Sequence, residues 1–325
     1  MSTQLSQSTL LAWYAEAKRD LPWRHTSDGW KILLSEILLQ QTQVSRGIGY
    51  WLKLVERFPT PQSMAEADVD EVLLLWQGAG YYSRARRLHA LARQVCLASS
   101  EGGYDGVLPT TSVELLQLPG VGPYTAAAVA SIAHGESVAC VDGNIRRVMA
   151  RQMKSTNPSV KEVEHWAKKN LFKPDAGDWN QAVMELGATI CTPKRPKCVD
   201  CPIAPSCSGQ HDATSYPEPK RIKRKRLDLM CELRYDSSGL PLLVQRGEDG
   251  ILAGLWGPKM AENIDIKSLK FIGEVKHVLS HRDIFVQVWL GTCSQGRDPA
   301  TVAISSLDRK ILELRAGKKP ILNQN

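Results

Sequence analysis

No apolar run among the 325 residues approaches the roughly 20 residues that a membrane span requires. The polar N-terminal stretch also lacks the apolar core of a secretory leader. A disulfide framework is missing too. Of the eight cysteines, Cys96, Cys140, Cys231 and Cys293 are scattered, whereas Cys191, Cys198, Cys201 and Cys207 fall close together. That usage fits a reducing compartment and a metal site rather than a small secreted domain. The expectation is an intracellular protein with no membrane attachment. There is no acidic excess: 41 Lys and Arg against 34 Asp and Glu leave a net charge of +7 and a pI near 8.9. Such a balance permits a polyanionic partner. With 43% hydrophobic residues, the chain can bury the cores of two or three domains.

The most informative stretch is Leu118-Pro119-Gly120-Val121-Gly122-Pro123-Tyr124. A short helix capped by Thr111 or Ser112 precedes it, and a second helix runs from Tyr124 until Gly135 stops it. Glycine permits positive φ and close approach of another molecule. Pro123 suits a first helical turn, where its missing N–H costs nothing. The free amides of that turn form an anion site, and a nucleic-acid phosphate is a natural occupant. A plain helix–helix turn has the same glycine spacing, so the motif alone leaves both readings open.

Other candidates lie on either side. Residues 1–20 read as an amphipathic helix, and Leu21-Pro22-Trp23-Arg24 as an extended turn. Asp28 caps a helix expected to run from residue 30 to about 44. On it, Glu36 has Ile32, Leu33 and Leu39 as helical neighbours. An apolar surround raises a carboxyl pKa, and a carboxyl protonated near neutrality is a general acid. Most helix glutamates are surface groups or capping partners, so spacing only nominates Glu36. Gln40 and Gln41 close that helix. Asp68 with Glu71 forms a capping box ahead of a helix ended by Gly78, and Tyr81 and Tyr82 follow. Arg84, Arg86, Arg87 and Arg93 make the next helix basic, either a solvated face or a DNA contact. Asp142 reads as the N-cap of a helix to about Arg151. Its capping bonds favour the anion, so an anionic role is compatible with the structural one. Ser159 with Glu162, and Asp178 with Gln181, read as caps of two further helices. The cysteines space as C-x6-C-x2-C-x5-C, which suits zinc or an iron–sulfur cluster.

Together these motifs resemble the helix-hairpin-helix DNA glycosylase superfamily, and within it the adenine DNA glycosylases of the MutY type. The resemblance runs from about Trp13 to Cys207. It rests on Ser35-Glu36 with Leu39-Gln40-Gln41-Thr42-Gln43-Val44, on the hairpin, on Val141-Asp142-Gly143-Asn144, and on the cysteine spacing, which matches a [4Fe–4S] loop. It implies a monofunctional glycosylase of base excision repair that removes adenine opposite 8-oxoguanine or guanine in double-stranded DNA. In that scheme Glu36 protonates adenine, Asp142 stabilises the oxocarbenium ion, Tyr124 assists at the sugar and Asn144 orders the site. Trp23, Arg24 and Glu185 support the adenine pocket, and Gln41 and Tyr81 enter the base stack. Gly120 and Gly122 face the backbone. A glycosylase–lyase of the endonuclease III type needs a lysine where Tyr124 stands. A thymine mismatch glycosylase and a non-catalytic DNA-binding scaffold are the remaining alternatives.

The implied fold is a mainly α region over residues 1–209, including the iron–sulfur loop 191–207, then a basic linker over 210–226. Residues 227–325 change period. They read as a hairpin (227–235 with 240–245), a Gly254-Leu255-Trp256-Gly257-Pro258 loop, and strands at 271–276 and 284–290. This part resembles the Nudix-like C-terminal domain of MutY-type proteins, with Ser280 and His281 implied as readers of 8-oxoguanine. Two features depart from the family. Leu279 stands where an aromatic is usual, and the span from Trp256 to Ser280 leaves little room for a helix. A Nudix hydrolase box is absent. The protein is expected to act as a monomer, associated with DNA in a bacterial cytoplasm or nucleoid.

Overall fold

The computed structural model describes residues 6–219 and 223–315. They form two compact units, Met1–Glu66 with Arg87–Lys220, and Ala67–Arg86 with Arg221–Asn325. Three residues of the basic linker, 220–222, lie outside the described residues. No described helix is long and apolar enough to cross a membrane.

The first unit is helical. It opens with α1 (Gln7–Ala17), α2 (Gly29–Leu38), α3 (Val44–Arg57) and α4 (Pro61–Ala65). Helix α5 (Val69–Leu75) belongs to the second unit, and α6 (Ser83–Cys96) follows it in the chain. The first unit then continues with α7 (Ser112–Leu115), α8 (Pro123–His134), α9 (Gly143–Gln152), α10 (Val160–Asn170) and α11 (Ala176–Thr189). Asp28 starts α2 by accepting the N–H groups of Trp30 and Lys31. Helix α8 is alanine-rich and buries residues 125–131 without interruption. It packs against α2 and α11, while α11 also packs against α9. Leu10, Tyr14, Trp166, Trp179 and Leu186 belong to the core beneath them.

Three local expectations change. Residues 22–24 form a 3-10 turn rather than an extended one. Helix α2 ends at Leu38, because Gln41 takes a positive φ of 62° and breaks the run before α3 begins. Gln40 and Gln41 therefore sit in a turn, not in a helix end. Asp175, not Asp178, caps α11, because its carboxylate accepts the Asp178 N–H.

The second unit carries a four-stranded sheet in the order β4-β1-β6-β5 and a two-stranded piece, β2-β3. The strands are β1 (Lys225–Tyr235), β2 (Val244–Gln245), β3 (Trp256–Gly257), β4 (Lys259–Ala261), β5 (Lys270–Val278) and β6 (Arg282–Thr292). The expected hairpin of 227–235 with 240–245 is reduced to one bridge, Tyr235 with Pro241. Strand β1 instead pairs in parallel with β6 along its whole length, from Lys225–Arg282 to Tyr235–Thr292. That register places Cys231 and Leu233 in one core with Val286 and Val288, and Pro241 has no N–H to extend a hairpin ladder. Helix α12 (Ser306–Arg315) was not expected. Its signal is Ser305-x-x-Asp308, a capping pattern in which Ser305 accepts the Asp308 N–H at 3.0 Å, followed by buried Leu307 and Ile311. Among the described residues no helix lies between Trp256 and Ser280.

Candidate active site

The hairpin, α2 and the start of α9 bring three side chains together. Tyr124, on the first turn of α8, donates its hydroxyl to Glu36 Oε2 at 2.6 Å. Its Oη also lies 3.2 Å from Met184 Sδ. Glu36 keeps partial access to solvent while its carboxyl is enclosed. Burial pushes the Glu36 pKa up to about 7; the Tyr124 hydrogen bond lowers it, nearby Asp142 raises it and Arg24 lowers it. Tyr124 is itself held well above its usual range by burial and then by Glu36, so its proton stays in place.

Asp142 caps α9. Its Oδ1 accepts the Ile145 N–H at 2.7 Å and its Oδ2 accepts Asn144 Nδ2 at 2.6 Å. The capping bonds were expected to hold this carboxyl low. Its pKa is raised instead, because burial outweighs the Ile145 and Asn144 bonds and the attraction of Arg147. Asn144 is fixed in turn. Arg147 Nη2 donates to Asn144 Oδ1 at 2.8 Å and to the Gly187 carbonyl at 2.6 Å, and Arg147 Nε donates to the Cys191 carbonyl at 2.7 Å. A glycine inside a helix costs about 1 kcal/mol against alanine. Gly187 is needed because a Cβ there would lie 2.5 Å from Asn144 Cβ. Sequence reading missed both Arg147 and Gly187; the mid-helix glycine was the available sign of close backbone approach.

Glu185 lies 1% exposed beneath the site. Arg19 donates to both of its oxygens, at 2.7 and 2.8 Å, and Arg24 to Oε2 at 2.8 Å. Burial alone would raise the Glu185 pKa, but the two arginines overcome it and hold the carboxyl at about 2. Glu185 thus holds Arg24, whose charge acts on Glu36. Trp23 is buried edge-on against Trp51, with ring centroids 6.0 Å apart. Glu185→Gln should cost about 3 kcal/mol at pH 7, since it leaves two guanidinium groups without their counter-charge. A depressed carboxyl stabilises above its unfolded pKa and loses that contribution as pH falls toward about 2. Urea unfolding of both proteins at pH 7 and pH 3 should show the difference shrinking at the lower pH.

In the hairpin only Gly120 uses positive φ, at 79°, and a Cβ there would lie 2.8 Å from Arg87 Cβ. Gly122 is the N-cap of α8, has no side-chain capping bond, and has open space where a Cβ would stand. The first-turn amides of α8 thus meet the requirement for a phosphate. Gln40 Nε2 donates to Thr125 Oγ1 at 3.1 Å, while Gln41 is exposed.

Tyr81, Ser280 and His281 belong to the second unit. Tyr81 is 43% exposed. Ser280 and His281 are exposed at the tip of the β5–β6 hairpin, where Leu279 donates its N–H to the Arg282 carbonyl at 2.8 Å. Arg84 is not part of a solvated basic face. It is buried, with its guanidinium 5.2 Å from the Trp76 ring centroid and 5.5 Å from that of Tyr81.

Cys191, Cys198, Cys201 and Cys207 line one cavity. Two 3-10 turns, Cys198–Asp200 and Ala204–Ser206, wrap the loop around it. Among the described residues no group of three or more His, Cys, Asp or Glu is arranged to hold a metal ion. Arg151, 2% exposed, donates to Cys191 Sγ at 3.2 Å and to the carbonyls of Cys191, Thr192, Pro193 and Tyr216. Among the described residues no carboxylate pairs with it. A buried cation in contact with the Cys191 sulfur fits an anionic thiolate-bound group.

Residues 34–173 match the family described as the HhH-GPD superfamily base excision DNA repair protein. The human adenine DNA glycosylase is 32% identical across 97% of this chain and 74% of its own length. The Mycolicibacterium smegmatis adenine DNA glycosylase is 44% identical across 62% of this chain and 68% of its own. This chain belongs to the adenine DNA glycosylase family. Among solved structures, a thermostable thymine-DNA glycosylase superposes with a TM-score of 0.58 at 32% identity, over 63% of this chain and 94% of that one. An endonuclease III bound to DNA superposes with a TM-score of 0.55 at 24% identity, over 63% and 93%. Both share the helical fold that carries the site of this adenine DNA glycosylase.

Proposed function

We propose that this glycosylase removes adenine opposite 8-oxoguanine or guanine by monofunctional hydrolysis. One observation carries the chemistry: Glu36, with a pKa of about 7, shares a site with Tyr124 and with Asp142, whose N–H donors favour its anion. A flipped adenine receives the Glu36 proton at N7. The C1′–N9 bond then breaks toward the adenine, leaving oxocarbenium character on the sugar. Asp142 faces that charge, and Tyr124, held in its neutral form, is hydrogen-bonded to the Glu36 carboxyl. Water adds to C1′ and releases a proton, giving an abasic site. No lysine stands at Tyr124, so no imine forms there.

The hairpin amides and the Arg-rich surroundings serve double-stranded DNA, which the protein engages as a monomer. Cys191, Cys198, Cys201 and Cys207 would hold a [4Fe–4S] cluster, which supplies a rigid charged centre rather than a hydrolytic one. Residues 227–325 act as the Nudix-like reader of the opposite base, with Ser280 and His281 offered at a hairpin tip; residues 1–209 form the catalytic region and 210–226 the linker. An intracellular, DNA-associated place follows from this reading.

The test is single-turnover cleavage of duplexes with A opposite 8-oxoguanine, A opposite G, T opposite G, and thymine glycol, each with and without alkali. Alkali-dependent breaks at adenine alone are expected. Breaks at thymine would support the thymine glycosylase reading, and breaks without alkali a lyase. The purified protein should be brown with four irons; a colourless zinc protein overturns the cluster assignment.

A further inference from the structure

Residues 67–86 are distant in sequence from the C-terminal sheet, yet the two form one compact unit. Specific polar contacts account for this. The Asp70 carboxylate accepts Gln245 Nε2 at 3.0 Å on one oxygen and Trp256 Nε1 at 3.2 Å on the other. The Ile304 N–H donates to Gln77 Oε1 at 2.8 Å, and Arg86 Nη1 donates to the Glu248 carbonyl at 2.9 Å. Trp256 is a fixed anchor: its backbone N–H donates to the Ala303 carbonyl at 2.9 Å, and the Arg297 guanidinium stacks 4.2 Å from its ring centroid.

Tyr81, in the middle of this segment, needs such an anchor. Its φ of 49° is left-handed, between Gly80 at 76° and the start of α6. A non-glycine residue there is strained and persists only where its surroundings over-determine it. Locally, Trp76 Nε1 and Arg84 Nη2 both donate to the Gly80 carbonyl at 3.0 Å. The result is a strained turn that presents an exposed aromatic ring.

We propose that Asp70 is a positioning residue for Tyr81: its bonds to Gln245 and Trp256 hold the 67–86 segment to the C-terminal part of the chain, which thereby sets how Tyr81 enters a duplex. The proposal rests on the reading of Tyr81 as a residue that enters the base stack. It makes the part of the chain that reads the opposite base also the part that aims the inserted ring. Asp70 itself touches no DNA.

The test uses the full chain and a duplex with a non-hydrolysable adenine analogue opposite 8-oxoguanine. Asp70→Ala should speed amide hydrogen exchange at residues 78–84 by about tenfold and weaken duplex binding by about tenfold, the scale of one lost stacking contact. The Asp70→Ala, Tyr81→Ala double variant should bind no worse than Tyr81→Ala. The exchange of functional groups in Asp70→Asn with Gln245→Glu should restore both readouts, because the introduced amide donates to the introduced carboxylate and still accepts from Trp256. If Asp70→Ala does not fold, Trp256→Phe removes the indole donor and is read the same way. Unchanged exchange overturns the anchor. Faster exchange with unaltered binding, or losses that add, overturns its action through Tyr81. Wild-type binding by Tyr81→Ala refutes the stacking role itself, separately from the anchor.

Discussion

Asp142→Asn should lower the single-turnover rate of adenine removal by about 10³-fold, the scale of losing one preorganised electrostatic group, while duplex affinity stays close to that of the parent. The two effects separate because the side chain has two jobs. Asparagine is as good an N-cap as aspartate, so the Ile145 N–H keeps its acceptor, and the loss is confined to the Asn144 bond, whose amide Arg147 holds in place. Helix α9 and the hairpin amides remain in place. The negative charge facing the sugar is lost. Quench-flow on the A opposite 8-oxoguanine duplex, beside a binding isotherm on an uncleavable duplex, measures both. Near-normal turnover would sink the assigned role.

The pH profile is the second large effect. Glu36 donates a proton, and with a pKa of about 7 it is fully protonated only below that value. The rate should fall tenfold per pH unit above about 7. On the acid side the rate should fall as Asp142 protonates, and that limb should lie above the ordinary aspartate range because burial raises this carboxyl. Glu36→Gln should cost about 10²- to 10⁴-fold, the usual span for a general acid, and abolish the basic limb. Tyr124→Phe removes a hydrogen bond that lowers the Glu36 pKa, so the basic limb should move to higher pH. The same shift bears on stability. The folded carboxyl binds its proton more tightly than the unfolded one, so stability falls as pH rises from the ordinary glutamate range through about 7. Glu36→Gln should therefore be more stable than the parent at pH 8, by roughly 3 kcal/mol. A basic limb unmoved in Glu36→Gln would assign the titration to another group.

The helices were largely legible because local chemistry writes them. Pro123 and Gly135 bound α8, Thr111 caps α7, and Ser159 with Glu162 forms the capping box of α10. The chemical nominations of Glu36, Tyr124, Asp142 and the four cysteines came from the same source, residue type at fixed spacing. Where strand pairing was missed, the deciding partner lay far away in the chain. Strand β1 took β6 rather than the adjacent segment, because parallel pairing buries both apolar faces and no local pattern encodes that choice. Gln41 ended α2 by a left-handed turn that its own residue type does not demand.

By itself, the sequence determined which groups could act as acid, anion, phosphate site and cluster ligands, because side-chain chemistry and spacing are local properties. Only the tertiary structure decided how they are tuned. The rise of Glu36 to about 7 needs enclosure by distant elements. The rise of Asp142 against its own capping bonds needs burial that capping patterns do not report. The clasp of Glu185 by Arg19 and Arg24 joins residues more than 150 positions apart. Desolvation and long-range pairing depend on what surrounds a group, and that is settled by packing rather than by the residue's neighbours in the chain.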